Sequence, residues 1–454
     1  MKEFRTMKYH FKATKEEKKL LKFLCRISKN IYNCALYDLR QQYFKNKTIC
    51  NYFDLNKIVS NNINYHILNT YQSICTIRVA HSNMEKYVKY HNPDGSLNQL
   101  GYKHSIDKDP TSFPKYKKKK ALMPLVTDQI RPIWYKGKKC IKLPLSNLTR
   151  TSKVFNQIFE DKLIDEFIKE SELKSSFNIF FKIPKELYDK KVRQFRVIPN
   201  THGDDYYVEF TYEIDIEKPN REIKNSLSID LGISNLGSCV DTNNNSFIID
   251  GKYLKSLNRL YNKKKAQYQS LLPKGVYTSK KIKNLDNKRN NQIEDYLNKA
   301  VATLMKKCIE LEIDEIIIGY NKGFKTYGIK NSDLKGKKKR KTNQNLIQIP
   351  ISKFKDKIKL KANELGIYVR IINESYTSKS SFYDNDPIEK DKYSGVRIKR
   401  GLYQTKDKKI INADINAALN IYKKYIIKSN SNDNKLSYLM SRGLTIPSRV
   451  IVAL

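Results

Sequence analysis

Residues 226–236 read Ser226-Leu227-Ser228-Ile229-Asp230-Leu231-Gly232-Ile233-Ser234-Asn235-Leu236. An apolar strand carries one carboxylate, and a glycine two residues later permits a tight turn into a second strand. A lone aspartate inside such a strand is costly to bury unless it is paired or metal-bound. The plain structural alternative is an edge-strand aspartate facing solvent. Its counterpart lies at Ile411-Asn412-Ala413-Asp414-Ile415-Asn416-Ala417-Ala418-Leu419-Asn420-Ile421. Small and apolar residues at Ala417, Ala418, Ile421 and Tyr422 predict a helix packed closely on a sheet. Asp414 falls in its first turn, where the helix dipole favours a carboxylate; simple N-terminal capping is the alternative there.

Outward from Ser226, the pattern predicts strand, hairpin, helical arm, helix, strand, helix, strand, helix. Residues 252–300 predict two charged helices forming a hairpin broken at Pro273-Lys274-Gly275. Upstream, residues 4–12 alternate like a strand. Thr14, followed by Glu16 and Glu17, marks a helix start, and helical spacing continues to about Tyr90. Residues 92–112 are turn-rich, a short helix is expected near 155–170, and further strands are expected around 177–184, 193–200 and 206–217. The polar run 217–225, which contains Pro219, is the expected boundary. The predicted organisation is a first strand (1–13), a helical lobe (14–95), a β-rich module (96–222), an α/β domain (223–426, helical arm 252–300) and a low-order polar tail (427–454). No repeat of 20–50 residues is present.

The chain carries 88 Lys and Arg against 46 Asp and Glu, a formal charge of +42. Abundant Asn, Ile, Lys and Tyr point to an AT-rich genome, which inflates lysine without selection for binding. A charge this large still destabilises a compact state unless a polyanion offsets it. Nucleic acid is the natural partner, bound through phosphate neutralisation. A membrane-surface protein is the alternative, but no basic amphipathic helix stands out. No apolar run approaches the length of a membrane span, and residues 1–19 lack the apolar core of a secretory signal. The seven cysteines stand singly with no CxxC pair, which argues against disulfides and a zinc ribbon and for reduced thiols in a cytoplasmic protein, nucleoid-associated when bound to DNA.

Together the two carboxylate segments resemble RuvC-I and RuvC-III of the transposon-encoded TnpB nucleases (OrfB-type), relatives of the type V CRISPR effectors. Phe113-Pro114-Lys115-Tyr116-Lys117-Lys118-Lys119, the IKLP stretch at 141–144 and VRQFRVIPN before YYVEFTYE resemble the family's β-rich wedge. NIYNCALYDLRQQYF resembles its recognition helices. Gly319-Tyr320-Asn321-Lys322-Gly323-Phe324-Lys325, Asn343–Pro350, Tyr376-Thr377-Ser378-Lys379-Ser380 and RGLYQTKDKKIINADINAALNI resemble one subgroup closely. The resemblance implies a multidomain α/β fold: an RNase H-like (RuvC) nuclease domain with an N-terminal β-barrel-like wedge and a helical recognition insertion. It implies a guide RNA made from the element's own end, a double- and single-stranded DNA target, and cleavage with Mg²⁺, two ions in number.

Two departures from the family matter. The usual RuvC-II glutamate is absent, because Ile316-Ile317-Ile318 runs into Gly319. No cysteine lies between the TSK motif and Asp414, so no zinc is expected. Two-metal hydrolysis takes roughly three or four carboxylates, more than Asp230 and Asp414 provide. Ile367–Glu374 is a strand ending in a glutamate just before the TSK motif, and Glu374 is the expected replacement; the alternative is a surface or structural residue in a nuclease-dead binder. The expected metal-binding and catalytic set is therefore Asp230, Glu374 and Asp414. Lys115, Lys117, Lys118 and Lys119 are candidate RNA-backbone contacts. Arg397, Lys399 and Arg400 could steer a scissile strand. Lys335–Lys341 is either a phosphate contact or a solvated charge run. Rival readings are a nuclease-dead RNA-guided binder, a conventional Asp-Asp-Glu transposase, and a general RNA-binding protein.

Overall fold

A computed structural model describes residues 2–101, 112–146, 178–200, 203–215, 222–321, 344, 347–399, 401–429, 434–442, 446–450 and 452. The helix expected near 155–170, Lys335–Lys341 and Arg400 lie outside them. The chain divides into two compact units, Met1–Asp215 and Ile216–Leu454.

In the first unit, β1 (Lys2–Phe11) leads to α1 (Lys15–Asn46). The Thr14 hydroxyl accepts the Glu17 amide while the Glu17 carboxylate accepts the Thr14 amide, a capping box at the start read from the sequence. α2 (Tyr52–Ser60), α3 (Ile63–Ile67) and α4 (Thr70–Tyr90) follow, capped by Asn51, Asn62 and Asn69. β2 (Leu125–Thr127), β3 (Pro132–Tyr135), β4 (Lys138–Lys142), β5 (Phe180–Lys182), β6 (Val192–Pro199) and β7 (Tyr206–Asp215) complete it. The described strands pair as two sheets, ordered β1-β7-β6-β2 and β3-β4-β5. Alternate residues Phe195, Val197, Val208 and Phe210 are buried with Leu20, Leu24 and Ile31 of α1 in one core.

The second unit opens with an antiparallel meander, β8 (Ser226–Asp230), β9 (Asn235–Asp241) and β10 (Ser246–Asp250). Next come α5 (Lys252–Ser270), α6 (Lys280–Glu310), β11 (Glu315–Gly319), α7 (Ile351–Glu364) and β12 (Tyr368–Ile372). A small antiparallel sheet, β13 (Val396–Lys399), β14 (Leu402–Gln404) and β15 (Ile410–Asn412), precedes α8 (Ala413–Ser429), α9 (Asn434–Ser441) and β16 (Ser448–Val450). The main sheet is ordered β12-β11-β8-β9-β10-β16, with β8, β11 and β12 parallel. Both its faces are covered, which explains the unbroken apolar run Ile316-Ile317-Ile318. Ile316 and Ile318 face Leu297, Leu304 and Phe354 of α6 and α7; Ile317 faces Ile415 and Leu419 of α8.

Two expectations are corrected. The second arm helix and the helix expected after it are one element, α6, because residues 280–310 contain no glycine or proline to break them. The tail is not a low-order stretch: β16 pairs in parallel with β10, Leu439 is buried beside α8, and Val452 joins the α6 core. The strand pairs with the open edge of the sheet, a partner that local pattern does not reveal. Among the described residues, no helix is long and apolar enough to cross a membrane.

Candidate functional site

The parallel strands β8, β11 and β12 end at one edge of the sheet, where open α/β sheets hold their ligands. Gly319 is in register with Asp230 on one side and Ile372 on the other. The chain leaving Ile372 therefore delivers Glu374 to the same edge as Asp230. α8 packs across this part of the sheet with Asp414 in its first turn.

Gly319 has no room for a side chain. A Cβ there would stand 2.3 Å from Ile421 Cδ1 and 3.1 Å from Glu374 Oε2. The carboxylate of Glu374 thus borders the volume into which a residue at 319 would project. Asp230 carries the electrostatic mark of the other two carboxylates. Asp230 is pushed well above the ordinary carboxylate range by burial first, then by Glu374 and Asp414, while Arg397 opposes the shift. This holds although part of the residue stays accessible to solvent. Burial raises Glu374 to about 7, opposed by a hydrogen bond from the Asn321 backbone and by Lys424.

Asp414 is held differently. Asn235 Nδ2 donates to its Oδ2 at 2.8 Å, and Arg397 Nη2 donates to its Oδ1 at 3.1 Å. Among the described residues, no three His, Cys, Asp or Glu side chains are grouped as a ready ion site. Asp414 is instead engaged by a guanidinium and an amide. In donor chemistry the set suits a hard cation, since it offers carboxylate oxygens and neither thiol nor imidazole. The raised carboxyls are what a divalent charge would relieve.

A polar frame positions Glu374. Its amide donates to Asn321 Oδ1 at 3.0 Å, Thr377 Oγ1 donates to its carbonyl at 2.8 Å, and Lys424 Nζ donates to the Ser375 carbonyl at 2.8 Å. From α8, Asn420 Nδ2 donates to the carbonyls of Thr377 and Ser380 at 3.0 and 2.7 Å. Asn416 Nδ2 donates to the Ser380 carbonyl at 2.8 Å, and its Oδ1 accepts the Phe382 amide at 2.9 Å. The buried asparagines escaped the sequence reading, which took α8 as a small apolar packing face. Two asparagines one turn apart on such a face were the available signal, because a buried amide must find partners.

The cysteine-free stretch after the TSK motif is tied by Asp386. Its Oδ2 accepts the amides of Ser381 and Ser394 at 2.7 and 3.0 Å, and its Oδ1 accepts Ser394 Oγ at 2.5 Å. Lys423 Nζ donates to Asn385 Oδ1 and the Asp386 carbonyl at 2.6 and 2.7 Å.

Of the basic candidates, Arg397 is on Asp414 and Lys399 is exposed. Lys115, Lys117, Lys118 and Lys119 are exposed in the first unit. Asn33 fixes Lys117 through both its amide and carbonyl, at 2.9 and 3.0 Å. The Arg40 guanidinium lies 4.8 and 4.6 Å over the rings of Phe113 and Tyr116, which stiffens the start of this run.

Residues 209–325 match the family described as OrfB_IS605, probable transposase, and residues 352–421 match the Cas12f1-like TNB domain. No curated protein matches the chain. Among solved structures, the chain is similar in fold to Cas12f1 in the cryo-EM structure of the Cas12f1–sgRNA–target DNA complex. There the TM-score is 0.53 at 13% identity, with 90% of this chain and 83% of that chain covered. The mini-RNA-guided endonuclease CRISPR-Cas_phi3 gives a TM-score of 0.40 at 11% identity, covering 93% and 92%. One family match contains Asp230 and Gly319 and the other Glu374 and Asp414, so both halves of the candidate site lie in segments similar to the OrfB_IS605 and Cas12f1-like families.

Proposed function

We propose that this chain is an RNA-guided DNA endonuclease encoded by a transposable element, cutting DNA by Mg²⁺-dependent phosphodiester hydrolysis. The observation that carries the proposal is the Glu374 carboxylate beside Gly319, in the register row of Asp230. Asp230, Glu374 and Asp414 would hold two Mg²⁺, which when bound supply Lewis-acid polarisation of the phosphate and a more acidic water. Asp230, on the central strand, lies within electrostatic reach of the other two carboxylates. Glu374 takes the position opened by Gly319, held by Asn321, Thr377 and the asparagines of α8. Asn235 orients Asp414. Arg397, which donates to Asp414, would be available to a phosphate of the scissile strand with a cation held on that carboxylate. In the first unit, assigned to the wedge and recognition lobe, Lys115, Lys117, Lys118 and Lys119 neutralise the guide backbone. Sequence is read by base pairing of guide and target.

The Arg397–Asp414 ion pair favours a second reading, a nuclease-dead RNA-guided binder in which the guanidinium permanently replaces the cation. One experiment separates the two. The protein is expressed with its flanking DNA, co-purifying RNA is sequenced, and Mg²⁺-dependent cleavage of a matching target is measured. The wild type is expected to cut, and Asp230→Ala and Glu374→Ala to bind without cutting. Full cleavage by Glu374→Ala would refute the role given to that residue. Guide-dependent binding with no wild-type cleavage would establish the nuclease-dead reading, and absence of bound RNA would remove the basis of both.

A further inference from the structure

The small sheet β3-β4-β5 of the first unit carries a feature that the cleavage chemistry does not use. β3 and β4 form a hairpin whose turn residues, Lys136 and Gly137, have φ of 47° and 70°, as a tight hairpin turn requires. Every residue of β3 is exposed. Among them is Trp134, the chain's one tryptophan, with 69% of its surface open to solvent. Its ring meets Tyr188 nearly perpendicular, 82°, with centroids 5.9 Å apart. Tyr188 is itself pinned: Lys139 Nζ donates to its carbonyl at 2.8 Å and lies 5.4 Å over its ring. Next to Trp134, Tyr135 stacks on Phe180 at 4.0 Å and 6°. A large indole is thus presented to solvent on a stiff, braced hairpin.

Charge says what could cover it. Residues 131–142, RPIWYKGKKCIK, hold five basic residues and no acidic one. Arg131, Lys136, Lys138 and Lys142 are exposed, as is Lys182 on β5. A second copy of the same surface would bring these charges together and is disfavoured. An aromatic ring rimmed by lysines suits a nucleobase stacked on the ring with its phosphates on the cations. Unpaired bases are what loops of a folded RNA offer continuously, whereas a DNA duplex exposes none until it is opened.

We propose that Trp134 is a stacking post for an unpaired base of bound RNA, with Arg131, Lys136, Lys138 and Lys142 taking the flanking phosphates. The proposal rests on the RNA-binding part of the proposed function and adds a site to it. Because Trp134 is the only tryptophan, the full-length protein reports on the site through its own fluorescence. RNA-free protein is titrated with a decauridylate RNA, a decathymidylate DNA and a ten-base-pair duplex, and affinity is measured separately by anisotropy of a labelled decauridylate. Quenching by the RNA is expected, saturating with the anisotropy and exceeding that given by either DNA. Trp134→Leu is expected to weaken the RNA about tenfold at fixed salt, and Trp134→Tyr to recover most of that loss. Binding by anisotropy with unchanged fluorescence, or unchanged affinity in Trp134→Leu, overturns the stacking post alone. Equal quenching by decathymidylate overturns the assignment to RNA. Shielding of the free protein's emission from acrylamide overturns it too, since another part of the chain would then cover the ring. No RNA binding by the wild type overturns both this proposal and the RNA-guided reading.

Discussion

Gly319 ends β11 where Ile421 of α8 and the Glu374 carboxylate fill the space its side chain would need. Restoring a glutamate at this position is therefore expected to damage the protein. Gly319→Glu should destabilise it by about 1–3 kcal/mol, the usual cost of overpacking, measured by denaturant unfolding. Combined with Glu374→Ala, it should leave cleavage absent, while adding Ile421→Ala should recover part of the lost stability. Glu374 also makes a pH prediction. Its folded-state carboxyl titrates near 7, above the ordinary 4.5, so between these values the folded protein binds the proton more tightly than the unfolded chain. The stability contributed is full below about pH 4.5 and is lost as pH rises to about 7. In metal-free protein, wild type should lose about 3 kcal/mol relative to Glu374→Gln across this window, as followed by thermal melts. A flat difference would contradict the burial of this carboxyl.

Among the elements, α8 does more than pack. Its apolar residues cover the sheet, while Asn416 and Asn420 bind the backbone of the TSK turn that follows Glu374. Asn420→Ala takes from the Thr377 carbonyl its side-chain donor and from the Ser380 carbonyl one of two, and should cost about 1–3 kcal/mol together with a marked loss of cleavage but little loss of RNA affinity. Asp386→Ala should loosen the segment that carries Arg397, an effect visible as faster limited proteolysis between residues 381 and 409. Much of this level was legible in the sequence. The strand of Asp230, the helix of Asp414 and the Thr14 cap follow from periodicity and capping, which are local, whereas the small sheet β13-β14-β15 was not expected. The continuity of α6 was legible too, in the lack of any glycine or proline across 280–310, whereas the pairing of β16 was not, since it depends on a distant strand.

For the whole molecule, the formal charge of +42 makes salt the controlling variable of nucleic-acid affinity. Replacing Lys115, Lys117, Lys118 and Lys119 together by alanine should weaken RNA binding and flatten the dependence of log K on log salt by up to about 3. An unchanged slope would show that these exposed lysines touch no phosphate. The basic character of the chain, its carboxylate-bearing strand and helix, and the lack of a RuvC-II glutamate are all legible along the chain, because composition and short-range pattern need no third dimension. Glu374 could be named as a candidate from its strand, but its distance from Asp230 could not. That its carboxylate borders Gly319, that Arg397 rests on Asp414, and that asparagines of α8 hold the intervening turn came from the folded chain. Those relations are set by strand register and by the packing of α8 on the sheet, which join residues far apart in the chain at contact distance.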